Sequence, residues 1–187
     1  SVVRAYRDGG NFGKAIIGTV SGSSISFGTP EVFSNGSNNI SANYDPTANK
    51  VVIAYRDSGN SNYGTAIVGT VSGDSITFDT PTVFSTVATS NISSVYDPAS
   101  NKVIIAYSDQ GNSSRGTVTG GTVSGDSITF GTPVVFNSNG TTNYISPVCD
   151  PIANKVVIAY SDVVNSRYGT AVTYGVDAGE PNVFAGT

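Results

Sequence analysis

Three loops of one pattern concentrate the residues best able to do chemistry: DSGNSNYG from Asp57, DQGNSSRG from Asp109 and DVVNSRYG from Asp162. In and beside them, Arg56, Asp57, Asn60, Tyr63, Asp109, Asn112, Asp162, Asn165 and Tyr168 supply carboxylates, amides, a guanidinium and aromatic rings. That mixture suits a sugar, whose hydroxyls pair with carboxylates and amides while its C–H faces lie on rings. Equivalent loops displayed by a rigid scaffold would also add weak contacts into avidity. The same residues have a structural alternative, in which Asp caps the turn, Asn takes a left-handed position, Gly permits the bend and Tyr packs between repeats. Asp57, Asn60 and Asn62 could offer oxygens to a hard cation, but the dense DxDxDG charge of calcium loops is missing. Neither a metal nor another cofactor is expected.

Most familiar catalytic chemistry is excluded by composition. The 187 residues include no His, no Met, no Trp and one Cys, so a Ser-His-Asp triad, a His-ligated zinc, a CxxC pair and an internal disulfide are all out of reach. Cys149 stands where other copies of the repeat carry Tyr44 and Tyr96, which marks it as a packing thiol. Glycosidases work with paired carboxylates, yet nine of the 13 acidic residues fall at repeated turn positions, where they can accept local backbone N–H groups. Only Glu31, Asp79, Asp177 and Glu180 lie outside those positions as candidates for a hydrolase or lyase site, and no enzyme is expected.

The formal net charge is −4, and the nine Lys and Arg are scattered singly, so there is no footprint for nucleic acid or an anionic membrane. No run of 18 apolar residues is present, and the first residues alternate polar with apolar instead of forming a leader-like segment. Membrane insertion is not expected.

The elements that must position the loops follow from self-similarity. NKVVIAY from Asn49, NKVIIAY from Asn101 and NKVVIAY from Asn154 recur, with VVRAY from Val2 as a fourth copy, and the marker tyrosines Tyr6, Tyr55, Tyr107 and Tyr160 are 49, 52 and 53 residues apart. A period near 50 belongs to units that are each a small sheet. The second copy shows four β-rich stretches, NISANYDP, KVVIAY, GTAIVGTV and SITFDTPTVF. AspPro followed by Asn49 and the SerGlyAsp of Ser72–Asp74 supply turn chemistry between them. Runs such as VVIAY are apolar without strict alternation, so both faces of each sheet must be covered by neighbours. One all-β domain is expected, with repeat units 1–38, 39–90, 91–142 and 143–187, arranged as a β-propeller of four blades or as a segment of a larger one. An open β-solenoid stack is the alternative. The first unit lacks the NIS strand and the last shortens SGDSITFGTP to DAGEP, so the edge at Ser1–Tyr6 is a candidate for self-association.

The strings YDPxxNKVVIAYxDxGNSxYGTAIVGTVSG and SITFGTPVVF resemble the tandem repeats of large marine phage and bacterial surface proteins, over essentially the whole chain. The resemblance implies a β-propeller, an extracellular or virion-surface location, and a role in structure or host attachment, with no catalytic residues. The loops also partly resemble the Asp-box of sialidase-type propellers, but Tyr55 and Tyr107 stand where that motif has Ser or Thr. Together these features point to a noncatalytic adhesion module for a glycan or surface receptor. A purely structural self-assembling repeat protein is the second reading, and a glycoside hydrolase the third.

Overall fold

The computed structural model describes the backbone of residues 1–177 and 180–185 and the side chains of residues 1–175. Candidates Asp177 and Glu180 therefore have side chains outside the described residues. The chain is all-β and antiparallel, and its one helical element among the described residues is a 3-10 turn at Gln110–Asn112. No helix there is long and apolar enough to cross a membrane.

Each unit is a sheet. The first contains β1 (Val2–Arg7), β2 (Gly13–Ser21), β3 (Ser24–Phe27) and β4 (Glu31–Ser34), with β3 and β4 pairing successive halves of β2. The second contains β5 (Ser37–Asp45), β6 (Lys50–Asp57), β7 (Tyr63–Ser72) and β8 (Ser75–Phe78), and is completed by the start of β9 (Thr82–Asp97). The rest of β9 opens the third sheet, pairing β10 (Lys102–Asp109), which pairs β11 (Arg115–Ser124) and, through it, β12 (Ser127–Phe130). In the same way β13 (Val134–Asp150) leaves the third sheet and enters the fourth, with β14 (Lys155–Asp162), β15 (Tyr168–Asp177) and β16 (Glu180–Ala185). The link after each Phe (Phe33, Phe84, Phe136) is thus extended backbone at two of the three junctions. It is broken only between β4 and β5, where Asn35 and Gly36 intervene. The fourth expected strand splits in two in the first three units, because the GTP or DTP segment leaves the ladder between the short hairpin strand and the link.

Three cores lie between successive sheets, as the apolar runs require. Val51, Ile53 and Tyr55 of β6 face the first sheet, while Val52 and Ala54 face the third. On β10, Val103, Ile105 and Tyr107 face the second sheet and Ile104 and Ala106 face the fourth. Every marker tyrosine after the first meets the Phe of the preceding unit: Phe33–Tyr55, Phe84–Tyr107 and Phe136–Tyr160 each have ring centroids 5.2 Å apart in tilted or edge geometry. Tyr6 has no such neighbour among the described residues and carries Arg4 over its ring at 5.3 Å. The AspPro turns form as expected: Asn49, Asn101 and Asn154 are left-handed, and Asp45, Asp97 and Asp150 each accept a backbone N–H within their own turn. The SerGlyAsp carboxylates do something else. Asp74 accepts from Thr19 Oγ1 (3.0 Å) and Asp126 binds Lys50 Nζ, so these tips tie each hairpin to the preceding unit.

The sheets stack in sequence order, and no closed ring is formed among the described residues. Burial raises the ionisation of Tyr107 above its ordinary value, with Asp109 adding to the effect, and pushes Tyr174 up to about 12. Above pH 10 the unfolded chain loses phenolic protons that the folded chain retains, so the fold is fully stable below that pH in this respect and loses stability as pH rises toward the folded values. Melting followed by circular dichroism should hold steady from pH 8 to 9.5 and fall steeply between pH 10 and 12.

Candidate functional site

The loops begin with an aspartate whose side chain organises the turn behind it. Asp57 Oδ1 accepts Gly59 N–H (2.9 Å), Asp109 Oδ1 accepts Asn112 N–H (3.1 Å), and Asp162, buried, accepts from Val164 and Asn165. In the shortened first loop Asp8 accepts from Gly10 and Phe12 and pairs with Lys14 (2.8 Å), whose hydrogen bond chiefly holds the carboxyl below the ordinary carboxylate range. In that first loop the Asn of the pattern, Asn11, is left-handed, whereas in the three longer loops the left-handed residues are the pairs that follow the Asn: Ser61 and Asn62, Ser113 and Ser114, Ser166 and Arg167.

The nine candidate residues do not form one site. Asp57 and Asn60 line a groove of about 390 Å³ between the first and second sheets, together with Asn35, Val32, Pro81 and the Phe33–Tyr55 pair. Arg56 and Tyr63 are half-buried and stay out of it, and Arg56 Nε is buried without a hydrogen-bond partner. Asp109, Asn112, Asp162 and Asn165 hold the equivalent turns farther along, where Arg115 Nη1 donates to Asn112 Oδ1 (3.1 Å). Tyr168, expected to pack between repeats or to meet a ligand, is 64% exposed on the last unit.

The junctions differ in where a valine packs between link and loop. At the second junction Val87 of the link packs on Gly111 of the loop so closely that a Cβ at Gly111 would lie 2.8 Å from it. At the third the partners are reversed, and Val164 of the loop fills against Gly140 of the link. At the first junction both positions are glycine: Gly59 borders the groove, while Gly36 is buried against Ser58, and no valine side chain stands at either position. Asn35, Val32 and Pro81 were not singled out from sequence. The available signal was the shorter link after Phe33, whose meaning depends on which loop it faces.

The groove can hold a polar, hydroxyl-rich molecule. Asp57 commits one oxygen to its own turn and leaves the other toward the groove, Asn35 and Asn60 are exposed amides, and Val32 and Pro81 are exposed apolar surfaces. Tyr55, nearly fully buried, forms the floor with a hydroxyl that burial, and secondarily Asp57, keeps protonated. The remaining chemistry-bearing groups are quieter. Cys149 has its thiol raised by partial burial and then by Asp97, toward which it points at 3.8 Å, and so is held protonated. Asp79 shares a shallow depression with Asp126, whose carboxylate is already paired with Lys50, and Glu31 is exposed. Compared with known protein families, curated proteins and solved structures, the chain matches none of them.

Proposed function

We propose that the chain is a noncatalytic recognition module that holds a glycan in the groove between its first two sheets, as part of an extracellular or virion-surface adhesin. The observation that carries this reading is the open groove at the first junction, bordered by Gly59, where neither the link nor the loop position carries the valine that Val87 and Val164 supply at the next two. A carboxylate, two amides and two apolar patches around about 390 Å³ match the size and polarity of one or two sugar rings. Recognition then rests on one groove, with the other loops serving as turn scaffolding, and avidity comes from several copies of the chain. For the array as a whole, the wedge of successive sheets is an arc of a β-propeller, whose first strands line the inner side.

The test uses a residue exchange that the fold already accommodates. Gly59→Val places in the second unit the residue that Val164 supplies in the fourth, and Asp57→Asn keeps the turn acceptor while removing the charge. On a glycan array, the parent chain should bind a defined sugar class, Gly59→Val should lose that binding, and Asp57→Asn should weaken it about tenfold. Melting temperatures of all three should agree within a few degrees. Undiminished binding by Gly59→Val would remove the groove from the mechanism.

A further inference from the structure

A second groove lies at the other end of the same junction, where the second unit's strands begin. It has a volume of about 550 Å³ and is bordered by Val2 and Val3 of β1 and by Ala42, Tyr44, Asn49 and Val51 of the second sheet. Its position is that of a strand. In the second, third and fourth units the KVVIAY-type strand is flanked by a first strand, β5 along β6, β9 along β10 and β13 along β14. β1 has no such partner among the described residues, and its outer edge forms one side of the groove.

The first strands are also linked to each other by side-chain rungs, one of which recurs between the second and third and between the third and fourth units, while the other two join the second and third. Asn91 N–H donates to Asn39 Oδ1 (3.0 Å) and Tyr144 N–H to Asn91 Oδ1 (3.4 Å), at three left-handed residues that mark the same bulge. Ser94 N–H donates to Ser41 Oγ (3.0 Å), and Tyr96 Oη meets Thr47 Oγ1 of the preceding AspPro turn (2.8 Å). The second unit's equivalents of these three groups are Asn39 N–H, Ala42 N–H and Tyr44 Oη. Ala42 and Tyr44 line the groove, and Tyr44 is 54% exposed. The ladder is therefore continued by nothing in the first unit, although Asn39 N–H and Ala42 N–H are in place and Tyr44 Oη, which donates to Asn49 Oδ1 (2.8 Å), can still accept.

We propose that this groove binds an extended segment of the repeat's own first-strand type, Asn-Ile-Ser followed by Tyr-Asp-Pro-Thr, by addition to the edge of β1. Its Asn side chain accepts from Asn39 N–H, its Ser hydroxyl accepts from Ala42 N–H, and its Thr hydroxyl meets Tyr44 Oη, while the backbone pairs with β1. Arg4 and Arg7, both exposed on β1, discourage indiscriminate edge pairing, so that selection falls to the three side-chain contacts.

The probe is a fluorescent peptide of residues 37–50, SNNISANYDPTANK, titrated into the intact chain and read by anisotropy. Saturable 1:1 binding is expected, with a scrambled peptide failing to bind. A peptide with both Asn39→Ala and Ser41→Ala should bind at least about tenfold more weakly, since each exchange removes one hydrogen bond. In the protein, Ala42→Pro deletes the donor that meets the serine, and the fourth unit already carries Pro147 at this place, so the fold tolerates it. That variant should keep its melting temperature and lose about tenfold in peptide affinity. Equal affinity for the scrambled and native peptides, or no binding at all, would overturn the proposal. So would a concentration-dependent doubling of the 19.1 kDa mass that excess peptide fails to reverse, because it would assign the edge to an intact second copy.

Discussion

Phe84→Ala is expected to destabilise the chain by about 3–5 kcal/mol, the range for truncating a buried aromatic, and to lower its melting temperature on the order of 10 °C. The size follows from position. Phe84 is 6% exposed and belongs to the second unit, but its ring packs on Tyr107 and, at 5.6 Å between centroids, on Phe130, both of the third. Its removal opens a cavity at the seam between sheets, not within one. In a row of units each stabilised by its neighbours, the weakened seam divides the array into two parts that can open separately. Chemical denaturation should therefore become broader as well as earlier, with a smaller apparent dependence on denaturant. Phe12→Ala provides the comparison, because Phe12 is 40% exposed in the first loop and should change stability by less than about 0.5 kcal/mol. Equal effects from the two substitutions would mean that the Phe–Tyr pairs do not couple the sheets.

Much of this architecture is legible in the sequence because it is periodic. The recurring Asn-Lys-Val string locates each central strand, the apolar run Val51–Tyr55 requires cover on both faces, and AspPro with Asn49 announces a turn with a left-handed last residue. What the sequence does not disclose is relational. Asp126 looks like a local turn residue until its hairpin is seen to lie against the preceding sheet, where Lys50 waits. Gly59 looks like one more loop glycine until it is found at the border of the groove, and Asn35 carries no pattern at all. These features depend on which element of one unit faces which element of the next, and a register of strands within a unit does not determine that. Atypical ends were visible as departures from the repeat, but the ladder of Asn39 and Asn91 that gives the open edge its specificity needed the strands side by side.

The second large effect is expected at a residue with no side chain. Gly64 opens β7 opposite Arg56, and a Cβ there would lie 2.6 Å from Cζ of Phe84, well inside any real contact. Gly13 and Gly116 stand in the same relation to Phe33 and Phe136, so each Phe reaches its Tyr only by crossing over a glycine of its own sheet. Because Phe84 is held by Tyr107 and Phe130, it cannot swing away without breaking the seam. Gly64→Ala should consequently cost about 1–3 kcal/mol, the usual range for forcing extra volume into a packed site. Gly169 occupies the same place in the fourth unit, and among the described residues nothing lies within 4 Å of its would-be Cβ, so Gly169→Ala should cost less than Gly64→Ala. The clash itself can be isolated by a double-mutant cycle. If Gly64 is needed to admit the ring, then Gly64→Ala made in a Phe84→Leu background should cost much less than in the parent, with a coupling energy of about 0.5–3 kcal/mol. Additive costs would place the need for glycine in the backbone, where Gly64 has no positive φ to require it, and would leave the Phe-over-Gly crossing without an energetic role.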